Sequence, residues 1–581
     1  MQVLACPYFS EDDLEVINPK YIENQLNFLD SVDILIDRIV ENLKQSSRKD
    51  ASKFISYFEN IKTNPADSFE EALQRILLFN QILWQTGHNL NGLGRLDKIL
   101  EELYIKDIED DILTKEDAYN LIKEFLKTLH SYYWYKSAAL MGDTGQIIIL
   151  GGEEGGNYFY NDLTSLFIKS IKELQLPDPK CLLRVSSKTP RFLIEESLEC
   201  INTGIGSPLL SNDDEVIPKM VSFGYDVDDA DNYVVSACWE PSAIGKGFEQ
   251  NNINFISFLK PLNEFFDNVS DDELDKINNF NELLKIYKEK LAIEKDNLID
   301  NLNEILWNED PILSFFIDEC DIKQLDISQG GAKYNHYGIT TVSLANTVNS
   351  LFNIKKLVFE DKKYSLVELN NFRKDNFKDS MNVLTELKKK DIHFGIDDEE
   401  IIELSNDLIN YLDGLLSEET NTLGGKIKFG LSAPSYISAG EEIKASFDGR
   451  LNYEPFSTHI SSDSNDDYTE IMRFASKLDY SGSKFNGNVV DFMTSPNFIK
   501  DNFEKFTDFL ELSIKLGFFQ MQLNVVDSET LIKAKANPEL YPNLIVRVWG
   551  FSSYFNDLPL DYKNLLINRA LVNEGKLAIG N

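Results

Sequence analysis

Helical and strand-like segments alternate along most of this chain, and that alternation limits the folds it can adopt. Apolar residues recur at helical spacing over 69–84 and 116–129, so the first 140 residues are predicted to be mainly helical. From residue 142 onward, short β segments such as 147–150 alternate with helical patterns, among them a long charged one over 271–306 and a short one over 528–536. The sequence has no internal repeat and no long Pro/Ser linker. This pattern favours one α/β unit, either a barrel or a large sheet.

The charge of the chain excludes several classes of partner. Its 581 residues include 57 Lys and Arg against 96 Asp and Glu, which gives a net charge of −39. Such a chain repels phosphate backbones and anionic lipid, so neither nucleic acid nor a membrane surface is expected as a partner. No apolar run approaches the roughly 18 residues that a membrane span needs.

The cysteine and histidine content argues against disulfide and metal chemistry. The chain has five cysteines, an odd number, and no pair has CxxC spacing. Its five histidines form neither an HExxH motif nor a tight cluster with cysteine. A cytoplasmic location without a structural or catalytic metal is therefore predicted.

The segment 232–241 (NYVVSACWEP) combines a thiol with a carboxylate. Pro241 disfavours a helical conformation at Glu240, so this stretch is expected to be extended. Because residues two apart in an extended segment point the same way, Cys238 and Glu240 are expected to face one cavity. A neighbouring carboxylate disfavours a thiolate, so the thiol is expected to stay neutral. Taken alone, a cysteine after an apolar run is also typical of a small buried core residue.

The segment 544–555 (LIVRVWGFSSYF) places a glycine between two bulky aromatic residues. Trp549, Gly550 and Phe551 follow a short β run, and Arg547 is predicted to anchor the loop that they form. Taken alone, the pattern is typical of a turn at a strand end that needs the conformational freedom of glycine.

Together these two segments resemble those of the glycyl radical enzymes, the superfamily of pyruvate formate-lyase. Further stretches resemble blocks of that family in the same order, from about residue 142 to residue 572: LLRVSSKTP at 182–190, NTGIGSP at 202–208 followed by Asn212 and Asp213, GGAKYN at 330–335, FDGR at 447–450 and QLNVV at 522–526. Each block is short, but their preserved order makes the resemblance specific.

The resemblance implies an α/β fold built as a ten-stranded barrel of two antiparallel five-stranded half-barrels, surrounded by helices. Residues 1–140 would form a mainly helical region packed on the barrel, which would occupy residues 141–581. It also implies that two loops meet at the barrel centre, one with Cys238 and one with Gly550. In such enzymes Gly550 would store an unpaired electron, Cys238 would relay it to the substrate as a thiyl radical, and Glu240 would be the general base.

The same resemblance implies which partners the chain needs. No bound cofactor or metal is expected, because the radical is a modification of Gly550 itself. A radical S-adenosylmethionine activase with a 4Fe–4S cluster would install that radical. The enzyme would be sensitive to oxygen, would act on a small-molecule substrate and could form a homodimer.

The residues around Cys238 distinguish between branches of the family. Pyruvate formate-lyase itself would have two adjacent cysteines, whereas this chain has Ala237 before Cys238. The Cys-x-Glu form resembles dehydratases, other C–O, C–N and C–S lyases, and decarboxylases. Asn252 stands where diol dehydratases have a carboxylate that grips substrate hydroxyls. Asn252, Tyr334 and His336 are predicted to bind the substrate.

Several functions are therefore open at this point. The first is a glycyl radical lyase that eliminates a leaving group, most simply a dehydratase. The second is a glycyl radical decarboxylase acting on a carboxylate substrate. The third is a barrel without catalytic activity, or a protein that supplies a spare glycine loop to damaged enzymes.

Overall fold

The computed structural model describes residues 17–88, 92–135, 144–236, 238–389, 392–458, 460–461 and 467–575. Within these ranges, the helices are α1 Pro19–Gln45, α2 Ala51–Ile61, α3 Phe69–Gln85, α4 Leu96–Ile99, α5 Glu101–Glu109, α6 Lys115–His130, α7 Asp162–Leu174, α8 Arg191–Cys200, α9 Asp213–Phe223, α10 Val227–Asp231, α11 Leu259–Asn268, α12 Asp271–Leu274, α13 Phe280–Asn303, α14 Pro311–Phe315, α15 Asp318–Lys323, α16 Leu344–Ile354, α17 Leu366–Lys374, α18 Met381–Leu387, α19 Glu399–Leu416, α20 Tyr436–Glu441, α21 Tyr468–Ser476, α22 Pro496–Asp501, α23 Phe503–Leu516, α24 Ser528–Ala536 and α25 Leu560–Asn573. None of the described helices combines the length and the apolar character that crossing a bilayer requires.

The strands between these helices are mostly short. They are β1 Gly94–Arg95, β2 Ile147–Glu154, β3 Asn157–Phe159, β4 Lys180–Val185, β5 Leu209–Asn212, β6 Tyr233–Ser236, β7 Glu240–Ala243, β8 Phe255–Ser257, β9 Tyr337–Val342, β10 Ile427–Gly430, β11 Ile460–Ser461, β12 Val489–Thr494, β13 Gln520–Val525, β14 Ile545–Arg547 and β15 Ser552–Tyr554.

Two sheets form the centre of the fold. The larger sheet has the order β1-β2-β4-β5-β13-β12-β11, with β3 added to β2, and the smaller sheet has the order β10-β9-β8. Neighbours are parallel throughout these two orders, except that β5 and β13 run antiparallel. The predicted α/β class is confirmed, and two groups of strands of opposite direction meet at β5 and β13. Hydrogen bonds among the described residues leave these two central sheets separate from each other, so closure into one ten-stranded barrel stays a prediction.

Continuous apolar strands fill the core of the larger sheet. Ile147, Ile148, Ile149 and Leu150 in β2 are all fully buried, as expected for a parallel strand that is covered on both faces. All six residues of β4, which pairs with β2, are buried as well. Both faces of this part of the sheet are therefore covered by other parts of the chain.

The described N-terminal residues are helical apart from β1, which adds to the sheet beside β2. Phe69 in α3 and Ile122 in α6 belong to the same apolar cluster as Ile148, whereas Phe28 and Phe58 belong to a second cluster between the first helices. The predicted division at residue 140 lies outside the described residues and stays a prediction.

Candidate active site

A β-hairpin carries the thiol and the carboxylate that the sequence singles out. Strands β6 and β7 pair antiparallel, with Ser236 opposite Glu240, so Cys238 lies in the connecting loop. The N–H of Cys238 donates to the carbonyl of Ser236 at 2.5 Å, which makes the turn tight. Glu240 is extended within β7, as predicted, but the expected extended conformation is wrong for Cys238, where the chain turns so that β7 can pair with β6. Ala237 lies outside the described residues.

A second hairpin carries Gly550. Strands β14 and β15 pair antiparallel, with Arg547 opposite Ser552, and the N–H of Val548 donates to the carbonyl of Phe551 at 3.1 Å across the tip. Gly550 has φ of +60°, a left-handed conformation that glycine adopts without steric cost. The Arg547 side chain is buried and donates from Nε to Gln522 at 3.1 Å, which ties the hairpin to β13.

The tips of the two hairpins touch each other. A Cβ atom built on Gly550 would lie 2.8 Å from Cys238 Sγ and closer still to Cys238 Cβ. Since a bond from Cα is about 1.5 Å long, the sulfur lies within about 4.3 Å of the Gly550 Cα atom. One Cα–H bond of Gly550 therefore points at the Cys238 side chain, which is itself buried. A hydrogen atom can pass between these two residues without an intermediate group.

The Glu240 carboxylate is held directly beside the thiol loop. One oxygen accepts the N–H groups of Cys238 at 3.3 Å and Trp239 at 3.1 Å, and the other accepts Asn252 Nδ2 at 2.6 Å. Glu240 is almost completely buried. Burial raises the pKa of Glu240, and the hydrogen bonds from Asn252 and the backbone only partly offset that effect. Glu240 is therefore a carboxylate with fixed orientation and increased basicity, as a general base requires.

Asn252 has one amide atom free to bind a ligand. It adopts a left-handed conformation with φ of +57°, and its Nδ2 atom donates to Glu240. Its Oδ1 atom is buried and has no hydrogen-bond partner within the described part of the chain. A buried acceptor without a donor calls for a ligand or a water molecule. A substrate hydroxyl bound there would lie next to the Glu240 carboxylate.

Tyr334 and His336 lie in a neighbouring aromatic cluster. The Tyr334 hydroxyl donates to Asp229 at 2.7 Å, and the His336 ring accepts the Lys426 N–H at 3.1 Å and packs against Phe223 with centroids 5.0 Å apart. Burial lowers the pKa of His336 to about 4, so its ring is neutral at neutral pH. The fold thus brings Cys238, Glu240, Asn252 and Gly550 together and places the other two residues apart from that contact. Their roles in substrate binding stay predictions.

Some residues that support the site were not identified from the sequence. Gln520 Nε2 donates to the Trp239 carbonyl at 2.5 Å, and Lys428 Nζ donates to the Pro241 carbonyl at 2.7 Å. Both side chains are buried and come from strands far along the chain. No local pattern marks them, since only the fold brings them to the hairpin that carries Cys238.

Comparisons with known proteins agree with this geometry. The family profile described as "Pyruvate formate lyase-like" matches residues 29–437, and the profile described as "Glycine radical" matches residues 457–556, which include Gly550. The chain is 27% identical to (2S)-3-sulfopropanediol dehydratase of Klebsiella oxytoca, over 83% of this chain and 62% of that protein. It is 28% identical to isethionate sulfite-lyase of Oleidesulfovibrio alaskensis, over 88% of this chain and 66% of that protein.

The fold also resembles solved structures. One that describes 1,2-propanediol dehydration in Roseburia inulinivorans superimposes with a TM-score of 0.86 at 26% identity, and the match covers 96% of this chain and 76% of that one. The chain thus spans less than two thirds of the length of the two curated relatives named above.

Proposed function

We propose that this chain, which belongs to the pyruvate formate lyase-like glycyl radical enzymes, is a lyase that uses a radical to remove a leaving group from a small polar substrate. The observation that carries the proposal is the contact between Gly550 and Cys238 directly beside Glu240. A glycine and a thiol in contact, with a carboxylate directly beside them, are the groups that a radical elimination needs. The same arrangement has no evident use in a barrel that only binds a ligand.

In the first step Cys238 and Gly550 exchange a hydrogen atom. A glycine Cα carries no side chain, so it can become planar, and its unpaired electron is shared with the adjacent amide groups. The Cys238 thiol gives its hydrogen atom to that carbon and becomes a thiyl radical. The thiyl radical then takes a hydrogen atom from a substrate carbon. S–H and activated C–H bonds have similar strengths, so both transfers are nearly balanced, and the buried hairpin tips keep water from the radical.

In the second step Glu240 acts on the substrate radical. A hydroxyl on the radical carbon is unusually acidic, and Glu240 accepts its proton. The leaving group on the next carbon then departs with its electron pair, and the radical moves to that carbon. Cys238 returns its hydrogen atom there, which completes the product and regenerates the thiyl radical. Asn252 would orient the substrate hydroxyl through its free Oδ1 atom, whose neutral amide accepts a hydrogen bond but no proton.

Activation requires a second protein. We propose that a radical S-adenosylmethionine activase with a 4Fe–4S cluster removes a hydrogen atom from Gly550. Because Trp549 and Phe551 beside it are buried, the hairpin that carries Gly550 must swing out to reach the activase. The radical would react with oxygen, so an anaerobic cytoplasm is the location that suits this chemistry.

The test is anaerobic activation followed by incubation with three compounds: 1,2-propanediol, (2S)-3-sulfopropanediol and isethionate. A lyase releases water or sulfite from one of them, and Cys238→Ala abolishes the reaction. Carbon dioxide released from a carboxylate substrate would instead support a decarboxylase. Activated protein that carries a radical but eliminates nothing from any of the three would contradict the proposed activity.

A further inference from the structure

A buried ion pair lies behind the strand that carries Glu240. Lys428 in the middle of β10 and Glu249 in the loop after β7 approach to 3.0 Å, and their side chains are 0% and 1% exposed. Burial acts to raise the pKa of Glu249, but the charge of Lys428 and the Tyr225 hydroxyl outweigh it and lower that pKa, so the carboxylate is charged. A fully buried pair of charges is costly to desolvate and is weak evidence for a role in stability alone.

Both members of the pair bind the backbone of β7. Lys428 Nζ donates to the Pro241 carbonyl at 2.7 Å, and the Ala243 N–H donates to Glu249 Oε2 at 3.1 Å. Residues two apart in a strand direct their backbone groups to the same edge. Strand β6 pairs with β7 on the other edge. The ion pair therefore takes the place of a neighbouring strand.

We propose that Lys428 and Glu249 are positioning residues that fix the Glu240 carboxylate against Cys238 and Asn252. Glu240 directly precedes Pro241, so a shift of the Pro241 carbonyl moves the Glu240 backbone and the hydrogen bond of 2.6 Å to Asn252. A carboxylate that must accept a proton during a short-lived radical step tolerates little displacement, since a misplacement of about 1 Å can cost about 10²-fold in rate. This inference rests on the proposed function for its kinetic consequence, but its geometry does not depend on the substrate.

The test variant is Lys428→Met/Glu249→Gln, which removes both charges and keeps similar side-chain volumes. The matched control is Arg75→Met/Glu71→Gln, which removes another buried ion pair, with N–O distance 3.0 Å, inside helix α3. Hydrogen–deuterium exchange of peptides that cover residues 238–243 needs no substrate. We expect about tenfold faster exchange there in the test variant and no change in the control, because a charged hydrogen bond to β7 is lost only in the test variant.

Kinetics supply the second readout. The substrate is whichever of the three compounds the wild type converts. The test variant is expected to form as much radical as the wild type but to lose about 10²-fold in kcat. The acid limb of its pH–rate profile is expected to shift. The control is expected to change thermal stability only. If the double variant does not fold, Glu249→Gln alone is measured, with a smaller loss of kcat expected.

The inference is overturned if the variant that folds shows unchanged hydrogen–deuterium exchange over residues 238–243, an unchanged kcat and an unchanged pH–rate profile. A wild type that converts none of the three compounds would contradict the proposed function. In that case the contrast in exchange between the test variant and the control still decides whether the ion pair holds β7.

Discussion

The contact between the two hairpin tips makes Gly550→Ala unusually destabilising, even before any radical chemistry. Alanine at φ of +60° costs about 1–2 kcal/mol, because left-handed backbone crowds its Cβ. The new Cβ would also lie 2.8 Å from Cys238 Sγ, an overpacked contact of a kind that costs about 1–3 kcal/mol. The two terms together predict a loss of about 2–5 kcal/mol in the free energy of unfolding.

Gly155→Ala is the matched control for this variant. Gly155 also has positive φ, +54°, but a Cβ added there would have no atom within 4 Å, so only the backbone cost of about 1–2 kcal/mol applies. Anaerobic urea unfolding measures both variants. Cys238→Gly combined with Gly550→Ala removes the atoms that clash and should recover about 1–3 kcal/mol. Equal losses for Gly550→Ala and Gly155→Ala, with no recovery in the double variant, would refute the proposed contact of the tips.

Three further variants probe the chemistry. The Glu240→Gln protein should still be activated to the radical at Gly550, but its turnover, measured as product formed per unpaired electron, should fall about 10²–10⁴-fold. Turnover near that of the wild type would exclude Glu240 as the base. Asn252→Leu removes a hydrogen bond that lowers the Glu240 pKa. The Glu240 pKa should therefore rise in this variant, and the acid limb of the kcat/KM profile should move to higher pH. An acid limb that stays in place or moves to lower pH would contradict this prediction. Tyr133→Phe removes the hydrogen bond of 3.0 Å that Tyr133 makes with Ser553, in strand β15 of the Gly550 hairpin. The activase should then install the radical about 2–10-fold faster, with the amount of product formed per radical unchanged. A slower or equal rate of activation would show that this bond does not restrain the hairpin.

Local sequence patterns predicted individual elements well where a single signal dominates. The helix expected over 528–536 is observed as α24 with those bounds. The long pattern over 271–306 is instead two helices, α12 and α13. The break arises because the Asn279 side chain accepts the N–H of Glu282 at 3.1 Å and starts a new helix there. Periodicity alone did not reveal that cap inside a charged and continuous pattern.

For the candidate site, too, the sequence predicts some features and misses others. Motif resemblance predicts catalytic roles for Cys238, Glu240 and Gly550, and the structure places the three residues side by side, although the turn at Cys238 differs from the expected extended segment. The ion pair behind β7 joins residues separated by 179 positions, a contact that no local period encodes. The free acceptor on Asn252 likewise became evident only from the direction of its side chain, because the sequence gives residue type but not rotamer.

Electron paramagnetic resonance of the anaerobically activated protein tests the radical at Gly550 most directly. Coupling of the unpaired electron to the single remaining α-hydrogen predicts a doublet. The doublet should collapse toward a singlet when the protein is produced with glycine deuterated at Cα, and Gly550→Ala should carry no such signal. A doublet that is unchanged by deuterated glycine, or that persists in Gly550→Ala, would place the radical elsewhere and contradict the mechanism.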